Sequence, residues 1–376
     1  MFVVSGFMDE HGSNSIDQGK LDGLVAFMKG TAEAVNKEIK EYLTNQSSPR
    51  SLQNMLGRSG YKFDSVAIEK AVLEPSQYIL ESGGKRIRPL LLLAVLEAFG
   101  KNPNEYIEFS IIPEIIHTGT LIHDDIEDGS DLRRNRPTIH KKYGLDVAIN
   151  LGDFMFFFPM VVILDSKKLS RSTKMKILDT YQRDMLNIGL GQGIDLAWHR
   201  HIIDPLSISE ENYMQTAFSK TGVLTGMAAK IGAIIGGATK RQVKILGRYG
   251  ATLGVAFQLQ DDVLNITESK VAENKGVIGE DIKEGQVTLL VVHALKKLGE
   301  QDKKRLSEII CMHTSDPALI SEAIGLIKKS GAIEYVDHVK DSLVKKCIDD
   351  LDKALPESEA KERLKLLAHF VVSRSI

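Results

Sequence analysis

Between His123 and Pro137 the chain reads HDDIEDGSDLRRNRP: five acids (Asp124, Asp125, Glu127, Asp128, Asp131) run into Arg133, Arg134 and Arg136. On a helix Asp124 and Asp128 stand at i and i+4, so their carboxylates share one face, one turn apart, with Asp125 about 100° off it. Two hard oxygen donors spaced this way hold a divalent cation from one side. The other positions stay open to water and phosphate oxygens, as is usual for Mg2+. A solvated helix end with weak surface ion pairs has the same composition, so the run decides little by itself. A second acidic pair, Asp261 and Asp262, lies in the apolar helical context FQLQDDVLN (Phe257–Asn265). Carboxylates crowded in such surroundings repel unless a cation neutralises them, and two such pairs argue for a metal site shared between facing helices. Cations complete the set: Lys85, Arg86 and Arg88 in GGKRIRP, and Lys220 beside Thr221 in FSKTGVL. Arginine forks match phosphate oxygens. Together these residues suggest two diphosphates, one held through Mg2+ by aspartates and one held directly by cations.

The elements that must position these residues read as helices. Apolar residues recur at three- and four-residue intervals in AEAVNKEIKEYL (Ala32–Leu43), PLLLLAVLEAFG (Pro89–Gly100) and VVHALKKLG (Val291–Gly299),. Ala323–Leu355 reads as two further helices broken near Ser330-Gly331, and alternating strands joined by tight Asn-Gly or Asp-Gly turns are missing,. Loops are expected over Thr44–Arg58, Glu81–Pro89, Gly129–Pro137, Arg200–Ser207 and Thr267–Gln286. The small residues of KIGAIIGGA (Lys230–Ala238) suit close helix packing rather than a nucleotide loop, and neither they nor SGGKR carries the phosphate-loop ending,. His199 and His201 in WHRH, with no partner cluster in the sequence, read as surface or capping groups. The expected architecture is all-α: one domain over residues 21–376, behind a frayed stretch at residues 1–20.

Composition removes several alternatives. With 376 residues, 43% hydrophobic and 26% charged, the chain can bury a large core,. A net charge of −2 gives no global field for nucleic acid or anionic membrane,. Cys311 and Cys347 are too few for a disulfide framework and fit a reduced cytoplasm,. The apolar run Phe154–Leu164, flanked by Asp153 and Asp165 and broken by Pro159, is short of the roughly 20 residues of a spanning helix,. The N-terminal MFVVSGFMDEHGS does not read as a secretory signal, so no transmembrane span is expected.

In this order, GGKRIRP, HTGTLIHDDIED, RRNRPTIHKKYG, NLGDF, GQGIDL, KTGVL, FQLQDD and GEDIKEGQVTL make residues 65–375 resemble the trans-isoprenyl diphosphate synthases, the polyprenyl synthetase family. The ending LAHFVVSR is similar to that of the longer-chain members. The resemblance implies an all-α bundle around a central elongation cavity, a homodimer, and substrates that are isopentenyl diphosphate and an allylic diphosphate. It implies Asp124 and Asp128 as first-motif Mg2+ ligands and Asp261 as the second-motif ligand. Arg133, Lys220, Thr221 and Gln258 match positions on the allylic substrate. Lys85, Arg88, His117 and Arg134 match positions on isopentenyl diphosphate. Three positions depart from the family pattern: Asn265 where a further Asp is frequent, Gln286 where Lys is frequent, and Lys275 in NKGVIG, where Lys-Gly replaces Gly-Lys.

The implied reaction ionises the allylic C–O bond, adds the isopentenyl double bond to the cation and loses a proton, in a pocket that excludes water. Gly119 and Thr120, five and four residues before Asp124, are small where short-chain relatives often carry an aromatic floor. A product of geranylgeranyl length or longer is expected, with Phe156–Phe158 able to close the tunnel further down. Two rival readings remain. A class I terpene cyclase needs no second diphosphate site, and a non-catalytic subunit of a heteromeric synthase typically loses the acidic motifs kept here.

Overall fold

In a computed structural model the protein is described over residues 18–45, 51, 53, 57, 60–267 and 278–373. Within them it is helical almost throughout, as the periodicity requires. The α-helices of eight or more residues are α1 (Gln18–Asn45), α2 (Ile87–Ala98), α3 (Ile111–Glu127), α4 (Leu145–Phe157), α5 (Arg171–His199), α6 (Glu210–Ala217), α7 (Val223–Gly236), α8 (Lys240–Ile266), α9 (Leu289–Lys297), α10 (Glu300–Cys311), α11 (Pro317–Lys329), α12 (Ala332–Ala354) and α13 (Glu359–Ser373). Helix α1 starts at Gln18, inside the stretch expected to be frayed, and residues 1–17 lie outside those described.

Contacts divide the chain into two compact units. One takes Gly23–Thr180 and Ala228–Thr239; the other takes Tyr181–Met227, Lys240–Ile376 and α1 up to Asp22. In the first, α2 is buried from Pro89 to Leu96 without interruption, the mark of a core helix rather than an amphipathic one. Burial of each such leucine is worth about 1.5–3 kcal/mol. The close packing expected of KIGAIIGGA is present: a side chain at Gly232 would strike the Leu92 carbonyl, and one at Gly236 would sit 2.8 Å from Phe99 Cβ.

The Gly129–Pro137 loop is more ordered than its composition suggested. Leu132–Arg133 (β1) and Arg136–Pro137 (β2) pair antiparallel in the register Leu132↔Pro137 and Arg133↔Arg136. Arg134 (φ 53°) and Asn135 (φ 60°) between them are both left-handed, which is what a two-residue type I′ hairpin demands.

The expectation that no apolar stretch reaches spanning length is corrected. Leu145–Asp165, 21 residues, is by length and composition long and apolar enough to cross a membrane. Apolar residues before Phe154 extend the run, and the helix is broken only at Phe158-Pro159. Half of its most apolar window is buried in this fold, with Gly152 and Met155 against Gly119 of α3.

In the second unit, α8 is buried from Tyr249 to Ala256 and packs along α12. Tyr249 donates to the Leu364 carbonyl of α13 at 2.8 Å. The break expected near Ser330-Gly331 is present: α11 ends at Lys329, Gly331 takes φ 74°, and α12 begins at Ala332.

Candidate active site

Helix α3 carries the first acidic motif on its last turn. The Asp128 N–H donates to the Asp124 carbonyl at 2.9 Å, so the two residues are one helical turn apart, as their spacing predicts. Both are half-buried, whereas Asp125 is 1% exposed and turned to Arg133. Arg133 donates to Asp125 Oδ1 through Nε (2.8 Å) and Nη2 (2.5 Å). Burial pushes the Asp125 carboxyl up, and the arginine opposes that shift. Arg133, matched above to the allylic substrate, is therefore also the counter-charge of a buried carboxylate.

The hairpin presents Arg134 to the glycine-rich turn. A Cβ on Gly84 (φ 145°) would lie 3.1 Å from both terminal nitrogens of Arg134, so the bare glycine is what admits the guanidinium. Arg134 also reaches Ser82 Oγ at 3.4 Å. His117, two turns before Asp124 on α3, has its pKa held well below the ordinary value, first by burial and then by Arg88, Arg134, Arg133 and Arg86. A neutral imidazole among guanidinium groups follows at pH 7. The structure thus gathers Arg88, His117, Arg133 and Arg134; Lys85 is half-buried in the same turn.

Two cations suggested for phosphate have other duties. Arg86 is 4% exposed; it pairs with Glu114 and donates to Asn36 Oδ1 at 2.8 Å and to the Leu80 carbonyl at 2.6 Å. Arg136 stacks on the Tyr78 ring, 4.6 Å from its centroid, and donates to the Tyr78 carbonyl.

The chain-length positions divide as well. Thr120 is half-buried and its hydroxyl donates to the His117 carbonyl at 2.7 Å. Gly119 is buried in the α3–α4 contact: a Cβ there would meet Phe156 Cε1 at 3.0 Å, the Gly152 oxygen at 3.1 Å and Met155 Cβ at 3.1 Å. Its smallness therefore also serves helix packing. Of the three phenylalanines, Phe156 stacks on His123, Phe157 is 72% exposed and Phe158 packs on Tyr42 and Phe154.

In the second unit, Lys220 and Thr221 lie in a π-helical segment, Phe218–Gly222, a distortion frequent at functional sites. Small residues let this segment approach its neighbours. A Cβ at Gly191 would fall 2.6 Å from the Lys220 nitrogen, and one at Gly222 2.8 Å from the Ala251 oxygen. One turn beyond Gly191, Asp195 pairs with Lys220 Nζ at 2.6 Å. GQGIDL is thereby explained as a packing glycine followed by an anchoring acid.

Thr221 Oγ1 donates to Gln258 Oε1 (3.3 Å), and Gln258 Nε2 donates to Asp262 Oδ1 (2.8 Å). Tyr213 of α6 donates to Asp262 Oδ2 at 2.7 Å. Asp262 is 3% exposed, whereas Asp261 is half-buried. Burial pushes the Asp262 carboxyl up to about 6, against its two hydrogen-bond donors. Tyr213 and Asp195 were missed as site residues; no local spacing signals Tyr213, which is 49 residues from Asp262.

The departures are also placed. Asn265 Oδ1 accepts from the Asp281 N–H at 3.2 Å, and its carbonyl accepts from Gly279 at 2.9 Å. Its oxygen braces the turn at Glu280–Lys283, which speaks against the amide as an Mg2+ ligand. Gln286 Nε2 lies 3.3 Å from His199 Nδ1. His199 and His201 each lie tilted against His313, with centroids 5.2 and 4.9 Å away, so WHRH does have a third histidine. Among the described residues no group of three acidic, histidine or cysteine side chains converges as a metal cage. Lys275 lies outside the described residues.

In each unit the donors suit a hard cation all the same: half-buried Asp124 and Asp128 share one face of α3, half-buried Asp261 lies on α8, and Asp124 and Asp261 each adjoin an aspartate that protein donors already engage,. Half-buried acids on all-α units, with arginines around a neutral histidine, are the groups that binding a diphosphate calls for,. The polyprenyl synthetase family matches residues 69–327. A short chain isoprenyl diphosphate synthase of Methanothermobacter thermautotrophicus is 35% identical over 81% of this chain and 91% of its own. An octaprenyl diphosphate synthase of Haemophilus influenzae is 35% identical over 79% and 87%. The crystal structure of a geranylgeranyl pyrophosphate synthetase from Pyrococcus horikoshii superposes with TM-score 0.79 and 30% identity, over 94% of this chain and 99% of that one. The chain belongs to the polyprenyl synthetase family. It is accordingly a trans-prenyltransferase.

Proposed function

We propose that this enzyme condenses isopentenyl diphosphate head-to-tail with an allylic diphosphate, requires Mg2+, and releases a polyprenyl diphosphate of geranylgeranyl length or longer. The observation that carries the proposal is the order of groups along α3. His117 and Asp124 are seven residues apart, hence on one face and roughly 10 Å apart along the axis. Asp128 continues that face one turn on. One helix therefore offers a guanidinium-ringed neutral imidazole to one diphosphate and a carboxylate pair to the metal of another.

In this reading Arg88, Arg134 and Lys85 hold isopentenyl diphosphate, and His117 donates one hydrogen bond from its uncharged ring. Arg133, Lys220, Thr221 and Gln258 hold the allylic diphosphate. Asp124, Asp128 and Asp261 would each serve as a ligand to Mg2+, which when bound would supply positive charge to the departing pyrophosphate. Apolar side chains around the two aspartate motifs would have to exclude water from the reacting carbons.

The product length is supported by relatives named as geranylgeranyl and octaprenyl synthases and by half-buried Thr120, which bears no aromatic ring. A homodimer is supported by an apolar stripe on α5, where Leu186 is 60% and Leu190 69% exposed one turn apart,. A cytoplasmic location is supported by the two free cysteines, Cys311 and Cys347,.

The test is incubation of purified protein with dimethylallyl or farnesyl diphosphate, excess isopentenyl diphosphate and Mg2+, with products identified by mass. A ladder ending at or beyond geranylgeranyl diphosphate is expected. An end at farnesyl diphosphate would overturn the length. A hydrocarbon product would indicate a cyclase, and no turnover a non-catalytic subunit.

A further inference from the structure

Asp262 is the most enclosed acid of the second motif, and both of its oxygens are taken by protein donors. The Tyr213 hydroxyl holds Oδ2 at 2.7 Å and the Gln258 amide holds Oδ1 at 2.8 Å. Tyr213 is itself buried, so a hydroxyl deprived of this carboxylate would go unsatisfied,. The pattern fixes direction throughout. A phenol can only donate to an ionised carboxylate, and so can the Gln258 amide nitrogen. That leaves Gln258 Oε1 facing Thr221, whose hydroxyl donates to it at 3.3 Å. Four side chains thus form one directed chain from α6 through α8 to the π-helical segment. It ends beside Lys220, which Asp195 holds from α5.

We infer that Tyr213 is a positioning residue: by anchoring Asp262 it fixes the rotation of Asp261 about α8 and the amide orientation of Gln258, and so sets the affinity for the allylic diphosphate with its metal. The inference rests on the function proposed above and adds to it a residue that touches neither substrate nor metal. Without the phenol, Asp262 keeps one donor and can swing about it, and Gln258 loses the partner that sets which end of its amide faces Thr221. The geometry ties Tyr213 to the allylic side, because the chain of groups that starts at its hydroxyl runs through Gln258 to Thr221.

Tyr213→Phe keeps the ring in its buried place and removes only the hydroxyl. Calorimetric titration should be run on wild type and Tyr213→Phe with a non-reactive allylic thiolodiphosphate, at fixed Mg2+, and separately with isopentenyl diphosphate. Loss of a hydrogen bond to a charged group predicts about 10-fold weaker binding of the allylic analogue, with isopentenyl diphosphate binding unchanged. Steady-state kinetics should show the same split, a raised allylic KM against an unmoved isopentenyl KM. Equal allylic affinity in the two proteins would overturn the inference, and so would equal weakening of both ligands, which marks general loosening. Should Tyr213→Phe fail to fold, Asp262→Asn, of equal size, sets an amide donor against one of the two donors and is expected to show the same split; unchanged allylic binding overturns the inference there too. If wild type binds no allylic analogue with Mg2+, the failure belongs to the proposed function instead.

Discussion

Gly119 separates a packing role from a chain-length role, because the two predict different outcomes for one substitution. A Cβ placed there lies 3.0 Å from Phe156 Cε1 and 3.1 Å from both Met155 Cβ and the Gly152 oxygen. Optimal carbon contacts are at about 3.5–4.0 Å. Phe156 can turn only by leaving its stack on His123, and the Gly152 oxygen is backbone and cannot turn at all. For Gly119→Ala the helix gains about 0.8–1 kcal/mol of propensity, while overpacking loses about 1–3 kcal/mol. Overpacking wins, leaving a net destabilisation of up to about 2 kcal/mol. Gly119→Phe has no room for its ring and must push α4 off α3. Urea midpoints of Gly119→Ala, Gly119→Phe and Thr120→Phe, read beside their product lengths, make the assay. The expected order is a small loss for Gly119→Ala, a large loss or insolubility for Gly119→Phe, and a near wild-type midpoint with shorter products for Thr120→Phe. If Gly119→Phe keeps the wild-type midpoint and simply shortens the product, Gly119 faces open space and the packing argument is wrong.

Asp124→Ala and Asp128→Ala should each cut turnover by orders of magnitude with helicity by circular dichroism unchanged; full activity of either, or activity undiminished in excess chelator, would end the metal reading. Arg133→Ala strands Asp125, which is 1% exposed, and should destabilise toward the lower end of the roughly 3–5 kcal/mol seen for a broken buried pair, since Arg133 itself is 32% exposed. Asp125→Asn in the same background should recover much of that loss in denaturant titration, and no recovery would refute the pairing. Burial and His313 hold both His199 and His201 below the ordinary histidine value. The unfolded chain therefore takes up their protons first, and stability should fall as pH drops below about 6.5 toward the folded values. His201→Gln should reduce the drop in urea midpoint between pH 7.5 and 5.5, and an equal drop in both proteins would refute it.

What could be read in the sequence was local. The helix break at Gly331 and the small-residue contacts of Gly232 and Gly236 follow from residues within a few positions. So does the one-turn spacing of Asp124 and Asp128. The duties of neighbouring cations could not be read this way. Arg86 and Arg88 look alike in GGKRIRP, yet Arg86 is spent on Glu114, 28 residues on, and on Asn36, 50 residues back. Arg136 likewise belongs to Tyr78, 58 residues earlier. The hairpin was read as a loop because its turn pair is Arg134-Asn135 rather than the glycine-containing pairs that signal a type I′ turn,.

The two acidic motifs show why a doubled aspartate is useful. Adjacent residues on a helix point about 100° apart, so two consecutive carboxylates cannot both face one ligand. In each motif the first aspartate, Asp124 or Asp261, is half-buried, and the second is enclosed: Asp125 at 1% and Asp262 at 3% exposed. Each enclosed carboxylate is engaged by protein donors, Arg133 in one case and Tyr213 with Gln258 in the other. A buried carboxylate needs such donors to remain an anion. The second aspartate of each pair is thus bound inside the protein, while the first stands half-buried about 100° round the helix from it,.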